Sequence, residues 1–267
     1  MKPNREKVAY VFDGSLEGFY TAVFMAFRDK TEPSRFLAAN AGQQIPLLEQ
    51  LRHAPADPAL AARVDLGVAK RSGAKNACML KLAFRSGQED VLLLIWRYLC
   101  RLFDCPDGSF CRNMLDPDVW DVLQAARRVK REVHRFHGFV RFRKTADGFW
   151  FALIDPDNDI VDLLIPHFRG RYAARPWVIY DARRNRGIWY DGKKSHDVVL
   201  ENKAFSLSDG TLPPAAVADD EEHYCRLWQH YYHSVSIAQR PNQRQMKAAM
   251  PRRYWKYLPE KQSGHRQ

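Results

Sequence analysis

The apolar residues of this chain repeat at two different periods, and the change falls at His137-Gly138. Ahead of it, Leu16, Phe19, Tyr20, Val23, Phe24 and Phe27 follow the i, i+3, i+4, i+7, i+8, i+11 spacing of a helix with one core face. Val119, Val122, Leu123, Ala126, Val129 and Val133 make a second such stripe, and Asp116-Pro117-Asp118 is a good start for it. Asp caps free N–H groups, and Pro at the first helical position gives up no hydrogen bond. Beyond Gly138 the pattern is that of strands: residues 139–143 and 149–154 flank the hairpin signal Ala146-Asp147-Gly148. Trp177-Val178-Ile179-Tyr180 and Ile188-Trp189-Tyr190 flank a turn around Asn185-Arg186-Gly187, and residues 198–200 are a further strand candidate. A chain with both periods in separate stretches is α+β.

The expected layout begins with a strand (Val8-Ala9-Tyr10-Val11-Phe12), a turn (Asp13-Gly14-Ser15) and a helix, followed by a helical region. Residues 31–72, rich in Ala and Pro, predict short helices and connections, with helical pattern again at 75–84 and 89–103. A central antiparallel sheet with an inserted helix at 160–172 comes next, then a helix at 219–237 and a basic tail. The corresponding divisions are residues 1–115, 116–202, a linker at 203–218 and 219–267, with one single domain as the alternative.

The N-terminus is polar and runs straight into a strand, and the most apolar segment, residues 91–103, is interrupted by Arg97 and Arg101 and is shorter than a bilayer requires. The expectation is a cytoplasmic protein without a membrane partner. Five cysteines without a secretion signal argue for reduced thiols, and Cys100, Cys105 and Cys111 fit neither zinc nor iron–sulfur spacing. No metal and no cofactor are expected.

A formal net charge of +11 favours polyanionic partners. The densest positive stretch holds Arg127, Arg128, Lys130, Arg131, Arg135, Arg141, Arg143 and Lys144, with Glu132 its only carboxylate. Arg128, Arg131 and Arg135 share a helix face opposite the valine stripe. A solvated face usually mixes both signs, so this one suits a phosphate backbone. A second stretch interleaves Arg169, Arg171, Arg175, Arg183, Arg184 and Arg186 with Phe168, Tyr172, Trp177 and Tyr180, the pairing of charge and flat rings that single-stranded nucleic acid uses, although strand aromatics are more often core. In the tail, Arg240, Arg244, Lys247, Arg252, Arg253 and Lys256 stand beside Tyr254, Trp255 and Tyr257, too many aromatics for a disordered end; the tail should dock on the body or on a partner.

Candidates for acid–base chemistry are Glu132, His134 and His137 at the helix-to-strand transition, and His167 with Asp162 and Asp181. Histidines among arginines can equally bond core carbonyls or contact phosphate. Asp155, Asp157 and Asp159 are not a calcium loop, since Ile160 stands where Gly is needed and Pro166 where Glu is needed. Both glycine-rich phosphate loops, the serine nucleophile elbow and H-E-x-x-H are missing from the sequence.

Several stretches together resemble one bacterial family. They are Tyr10-Val11-Phe12-Asp13-Gly14-Ser15 with Glu17-Gly18; Val129-Lys130-Arg131-Glu132-Val133-His134-Arg135-Phe136-His137-Gly138-Phe139-Val140-Arg141-Phe142; Pro166-His167-Phe168-Arg169-Gly170-Arg171-Tyr172 with Pro176-Trp177-Val178-Ile179-Tyr180-Asp181; and Tyr231-Tyr232-His233-Ser234-Val235-Ser236-Ile237 through Arg240-Pro241-Asn242 to Met250-Pro251-Arg252-Arg253-Tyr254-Trp255-Lys256. The chain is similar in these to the probable DNA metabolism protein family, a domain of unknown function found alone or fused to uracil-DNA-glycosylase-like proteins. Stand-alone members are typically encoded beside a DNA repair or modification protein of the radical S-adenosylmethionine type. The resemblance implies a role in DNA repair or modification with such an enzyme as partner, and it carries no catalytic residues over. The sequence holds no C-x-x-x-C-x-x-C cluster and ends without a glycosylase domain, so radical chemistry or base excision would belong to the partner.

Two readings follow. The first is a DNA-binding accessory that grips phosphates with Arg128, Arg131, Arg135, Arg141 and Arg143, aided by Arg169, Arg171, Arg252 and Arg253. The second is an enzyme acting on damaged or modified nucleic acid, with His134, His137, His167 or Asp181 as acid–base groups.

Overall fold

A computed structural model describes residues 7–39, 50–88, 90–105, 107–200, 213–235 and 243–262. The chain divides into two compact units, Met1–Lys130 and Arg131–Gln267. The fold is α+β, with the strand–turn–helix opening and the helical C-terminal region that the periodicities predict.

In the first unit, β1 (Lys7–Phe12) leads through Asp13-Gly14-Ser15 into α1 (Leu16–Asp29). This turn is built by side chains. Asp13 Oδ1 accepts from the Ser15 amide and hydroxyl at 2.9 and 2.7 Å, and Ser15 Oγ accepts from the Gly18 amide at 2.9 Å, capping the helix. Gly18 leaves room for this carboxylate: a Cβ there would lie 2.2 Å from Asp13 Oδ1 and would push it off its Ser15 hydrogen bonds. Lys30 closes the helix in the left-handed conformation, with φ 54°.

Two strands stand where short helices and connections were expected. β2 (Glu32–Ala38) and β3 (Gln50–His53) flank β1 in parallel, in the order β2-β1-β3. Pro33 fits because β2 is an edge strand, and the β1 pairing skips from Pro33 to Arg35 at a register shift. α2 (Pro58–Phe84) is two helical segments joined at Gly73, whose non-helical φ of 80° and ψ of 159° interrupt the run between residues 72 and 75, where the sequence leads one to expect a break. α3 (Val91–Asp104) is the buried helix the sequence predicts, with Leu94, Ile95, Tyr98, Leu99 and Leu102 in the core beside Phe19, Val64 and Leu80.

α4 (Pro117–Phe139) begins as expected: Asp116 Oδ1 accepts from the Asp118 and Val119 amides at 3.0 and 3.4 Å. Val119, Val122, Ala126 and Val129 are buried, and Arg127, Arg128, Lys130 and Arg131 are exposed. The helix carries the unit boundary, with Lys130 the last residue of the first unit and Arg131 the first of the second.

The second unit is a five-stranded sheet in chain order: β4 (Arg143–Lys144), β5 (Trp150–Ile154), β6 (Trp177–Asp181), β7 (Arg186–Tyr190) and β8 (Ser195–Val198). Three pairings are antiparallel, as expected, and β5–β6 is parallel. The inserted helix α5 (Val161–Arg171) is the reason, since a crossover helix returns the chain in the direction it left. The hairpin turn closes through Gly148 at φ 83°, and Asn185, at φ 53°, turns the chain from β6 to β7. Gly187 lies opposite Tyr180 where a Cβ would meet that ring at 2.6 Å and the Ile179 carbonyl oxygen at 2.7 Å.

The C-terminal segment adds α6 (Glu221–Val235), α7 (Gln243–Ala249), a 3-10 turn (Arg252–Tyr257) and α8 (Pro259–Gln262). Of the linker expected at 203–218, residues 203–212 lie outside the described part, as do Arg240 and its neighbours at 236–242. The tail docks within the second unit: Tyr254, Tyr257 and Leu258 are buried.

Candidate functional site: a cationic, aromatic cleft

The second unit contains a cleft of about 670 Å³, a size typical of sites for small organic groups. One wall comes from the end of α4 and the segment leading into β4, which supply His137, Arg141, Phe142, Arg143 and Lys144. A second comes from Trp150 at the start of β5 and from Phe168, Arg171, Tyr172 and Arg175 around the end of α5. α6 forms the third with Glu221, Tyr224, Cys225 and Trp228, and Asp220 stands at its start.

Phe142 organises the floor. Its ring lies 5.5 Å from Phe168 and 5.4 Å from Tyr172, both edge-on, and Trp150 meets Tyr172 at 5.2 Å. Edge-to-face packing holds these planes at fixed angles. Arginines lie on the same rings: Arg175 is 5.1 Å from the Trp150 centroid, Arg171 is 5.7 Å from Tyr172, and Arg141 is 5.0 Å from Trp228. Cation–π contact orients a guanidinium without neutralising it.

The cations of the cleft fall into two classes. Arg141 is paired with the buried Glu260 at 2.7 Å, and Lys144 with Asp220 at 2.8 Å. Burial pushes the Glu260 carboxyl up, and the hydrogen bond and charge of Arg141 overcome this, leaving it below its ordinary 4.5. The hydrogen bond from Lys144 likewise holds Asp220 low. Arg143, Arg171 and Arg175, by contrast, have no carboxylate partner among the described residues. Glu221 does not supply one, since it accepts from the Lys144 amide at 2.9 Å and from Cys225 Sγ at 3.7 Å. Burial and then Glu221 push the Cys225 thiol up, away from thiolate character.

His137 and His167 form a stacked pair, with ring centroids 4.0 Å apart and planes 9° apart, while His134 is 6.4 Å from His137. Nε2 of both His137 and His167 is buried without a hydrogen-bond partner among the described residues. Burial, then the charges of His167 and His134, hold His137 below its ordinary 6.5. A metal ion between stacked rings would lie out of the plane of both, so the pair does not fit zinc, whose histidine ligands converge.

Other sequence candidates are placed elsewhere. Glu132 is buried and saturated: Oε1 accepts from the Asp157 amide at 2.9 Å and the Tyr254 hydroxyl at 2.6 Å, and Oε2 from the Asn158 amide at 2.8 Å and its Nδ2 at 2.5 Å. Asp181 is buried too, accepting from the Arg183 and Arg184 amides at 2.9 and 3.1 Å and pairing with the Arg184 guanidinium at 2.9 Å. Burial nevertheless pushes its carboxyl up. His167 stacks on His137, and Asp162 pairs with Arg186.

Half of the second basic stretch is therefore structural. Arg183 pairs with Asp155 and Asp157 at 2.9 and 3.4 Å and Arg186 with Asp159 at 3.3 Å, so the acidic run at 155–159 is an arginine cradle. Arg253 pairs with Asp157 and donates to the Tyr254 hydroxyl, whereas Arg252 lies over Trp255 at 5.7 Å. Arg135 reaches the Ala248 carbonyl at 3.3 Å, and Arg169 lies over Tyr190 at 5.5 Å. Arg128 and Arg131 are exposed on α4 without a carboxylate partner among the described residues.

Of the expected phosphate contacts, the cleft gathers Arg141, Arg143 and Arg171. Sequence reasoning passed over Trp150, Tyr224 and Trp228 as site residues. On α6, Tyr224, Leu227, Trp228 and Tyr231 follow core-like i, i+3, i+4, i+7 spacing and yet are all exposed. Among the described residues no helix is long and apolar enough to cross a membrane. Comparison with curated proteins and with solved structures returns no match. The model of the domain of unknown function DUF4130 matches residues 89–260, well over half of the chain and the whole lining of the cleft, and the chain belongs to that family.

Proposed function

We propose that the chain binds nucleic acid through the cleft of its second unit and serves DNA repair or DNA metabolism as an accessory that presents DNA to a repair or modification enzyme. The observation that carries the binding is the trio Arg143, Arg171 and Arg175, lining an aromatic cleft and not neutralised by carboxylates among the described residues. Charge for phosphates beside flat rings for bases is the combination that single strands exploit. The DNA context and a radical S-adenosylmethionine enzyme as partner rest on the family resemblance described above.

The test is fluorescence anisotropy of a labelled single strand against the full chain at several salt concentrations. Three phosphate contacts predict a log–log slope of about −2, and each Arg→Gln change at 143, 171 or 175 should shift it by about 0.7. Undetectable or salt-insensitive binding would overturn the proposal.

A catalytic reading has one observation in its favour, the stacked His137–His167 pair with buried Nε2 atoms, of which His137 lies on the cleft wall. Turnover of damaged or modified DNA by the isolated chain, lost in His167→Ala while the fold is retained, would establish it.

A further inference from the structure

We infer that the cleft takes a single unstacked nucleotide, its base laid on the aromatic wall formed with α6 and its flanking phosphates on Arg143, Arg171 and Arg175. This deepens the nucleic-acid reading and rests on it. Three features of the cleft argue for such an occupant.

The first is size. A cleft of about 670 Å³ accommodates a nucleotide-sized group. In a duplex the bases are stacked inside and only a base out of the stack can enter such a pocket.

The second is the uncovered aromatic surface at the rim. Tyr224 is 57% exposed, and its one ring contact among the described residues is with the adjacent His223. Outside the cleft lining, Tyr231 is also 57% exposed and Leu227 51%, so the apolar stripe of α6 continues past Trp228. A base has two flat faces and stacks on such rings without regard to sequence.

The third is charge. Asp220 is paired with Lys144, and Glu221 keeps its charge but accepts from a backbone amide and forms no ion pair among the described residues, so the three guanidiniums outnumber the one unpaired carboxylate of the cleft. An apolar stripe bordered by unneutralised arginines is complementary to a ligand that is flat and apolar in one part and anionic in another. An acidic peptide would satisfy the arginines but would not need the uncovered rings at this spacing.

The experiment uses the full chain with three labelled 12-mers: oligo-dT, a strand of the same length built from abasic tetrahydrofuran spacers, and a blunt duplex. Oligo-dT should bind about tenfold more tightly than the abasic strand, since stacking adds to equal phosphate contacts. Tyr224→Ala, at an exposed ring whose loss leaves the fold intact, should reduce that ratio severalfold without altering the salt dependence. Arg175→Gln should weaken both strands alike. Equal affinity for oligo-dT and the abasic strand, with a steep salt slope, would overturn the nucleotide pocket and leave the nucleic-acid reading standing. Failure to bind any of the three would remove both. Displacement of oligo-dT by polyglutamate at matched charge, as effectively as by unlabelled oligo-dT, would overturn it in favour of an acidic protein partner.

Discussion

Replacing Glu132 by glutamine separates a structural carboxylate from a catalytic one. Four donors converge on its two oxygens, two of them the backbone amides of Asp157 and Asn158, so the residue ties α4 to the loop after β5 and, through Tyr254, to the C-terminal segment. Glutamine exchanges one oxygen for an NH₂ group. Placed towards Asn158, that group can be met by a flipped Asn158 amide, but the Asn158 backbone N–H loses its Glu132 acceptor. Placed towards Tyr254, it can donate to the hydroxyl, and the Asp157 N–H is orphaned instead. Either way one buried backbone donor is lost, at about 1–3 kcal/mol, and the remaining bonds lose their charge assistance at about 1 kcal/mol each. Relief of the desolvation of a buried charge offsets part of this. The net expectation is a destabilisation of about 2–3 kcal/mol, or a fall in melting temperature of about 5–10 °C for a chain of this size. Circular dichroism melting checks the number, and limited proteolysis should show earlier cleavage in the C-terminal segment. A Glu132→Gln variant that melts within a degree of the wild type yet loses nucleic-acid binding or turnover would refute the structural assignment.

Further outcomes follow from the same geometry. The folded pKa of His137 lies below its ordinary 6.5, so the unfolded chain binds more protons there. The stability this group contributes is present above pH 6.5 and is lost as pH falls through the lower folded value; urea titrations below pH 6.5 should show this loss reduced in His137→Gln. Gly187→Ala drives a methyl into Tyr180 and the Ile179 carbonyl and should cost about 1–3 kcal/mol in chemical denaturation, whereas Ala at Gly138, where nothing lies within 4 Å of the added atom, should be neutral or stabilising. Arg186→Gln removes the counter-charge of Asp159 and Asp162 and should lower the melting temperature while leaving the salt slope of DNA binding unchanged, because that arginine is already neutralised.

What could be read from the sequence was whatever depends on local chemistry. The valine stripe of α4 and its Asp116 cap, the buried α3, the Asp13-Gly14-Ser15 turn and the Gly148 hairpin all follow from spacing or from one residue's side chain. β2 and β3 were hidden because their pairing is parallel and tertiary: a seven-residue edge strand containing Pro33 and a four-residue strand offer too little alternation to outweigh their surroundings. The parallel β5–β6 pairing needed the knowledge that α5 crosses over rather than inserts.

For the candidate cleft, charge spacing points to Arg141, Arg143 and Arg171, which line it, but does not separate the arginines that lack a carboxylate partner among the described residues from the paired ones. Arg171 and Arg186 look alike in sequence; only the fold places Asp159 and Asp162 beside the second. The α6 wall was obscured for the opposite reason. A stripe at helical spacing normally marks core, and nothing local reveals that Tyr224 and Tyr231 remain exposed. The His137–His167 stack joins residues 30 positions apart from two different helices, and neither helix's own pattern implies it.

The most direct measurement of the central claim is photocrosslinking of a single strand carrying 4-thiothymidine to the full chain, followed by mass spectrometry of the linked peptides. Adducts on Trp150, Tyr172 or Tyr224, suppressed by unlabelled single strand and weakened in Arg171→Gln, are the predicted result. Efficient, competable crosslinking confined to peptides of residues 7–104 would place the nucleic acid on the first unit and contradict the account.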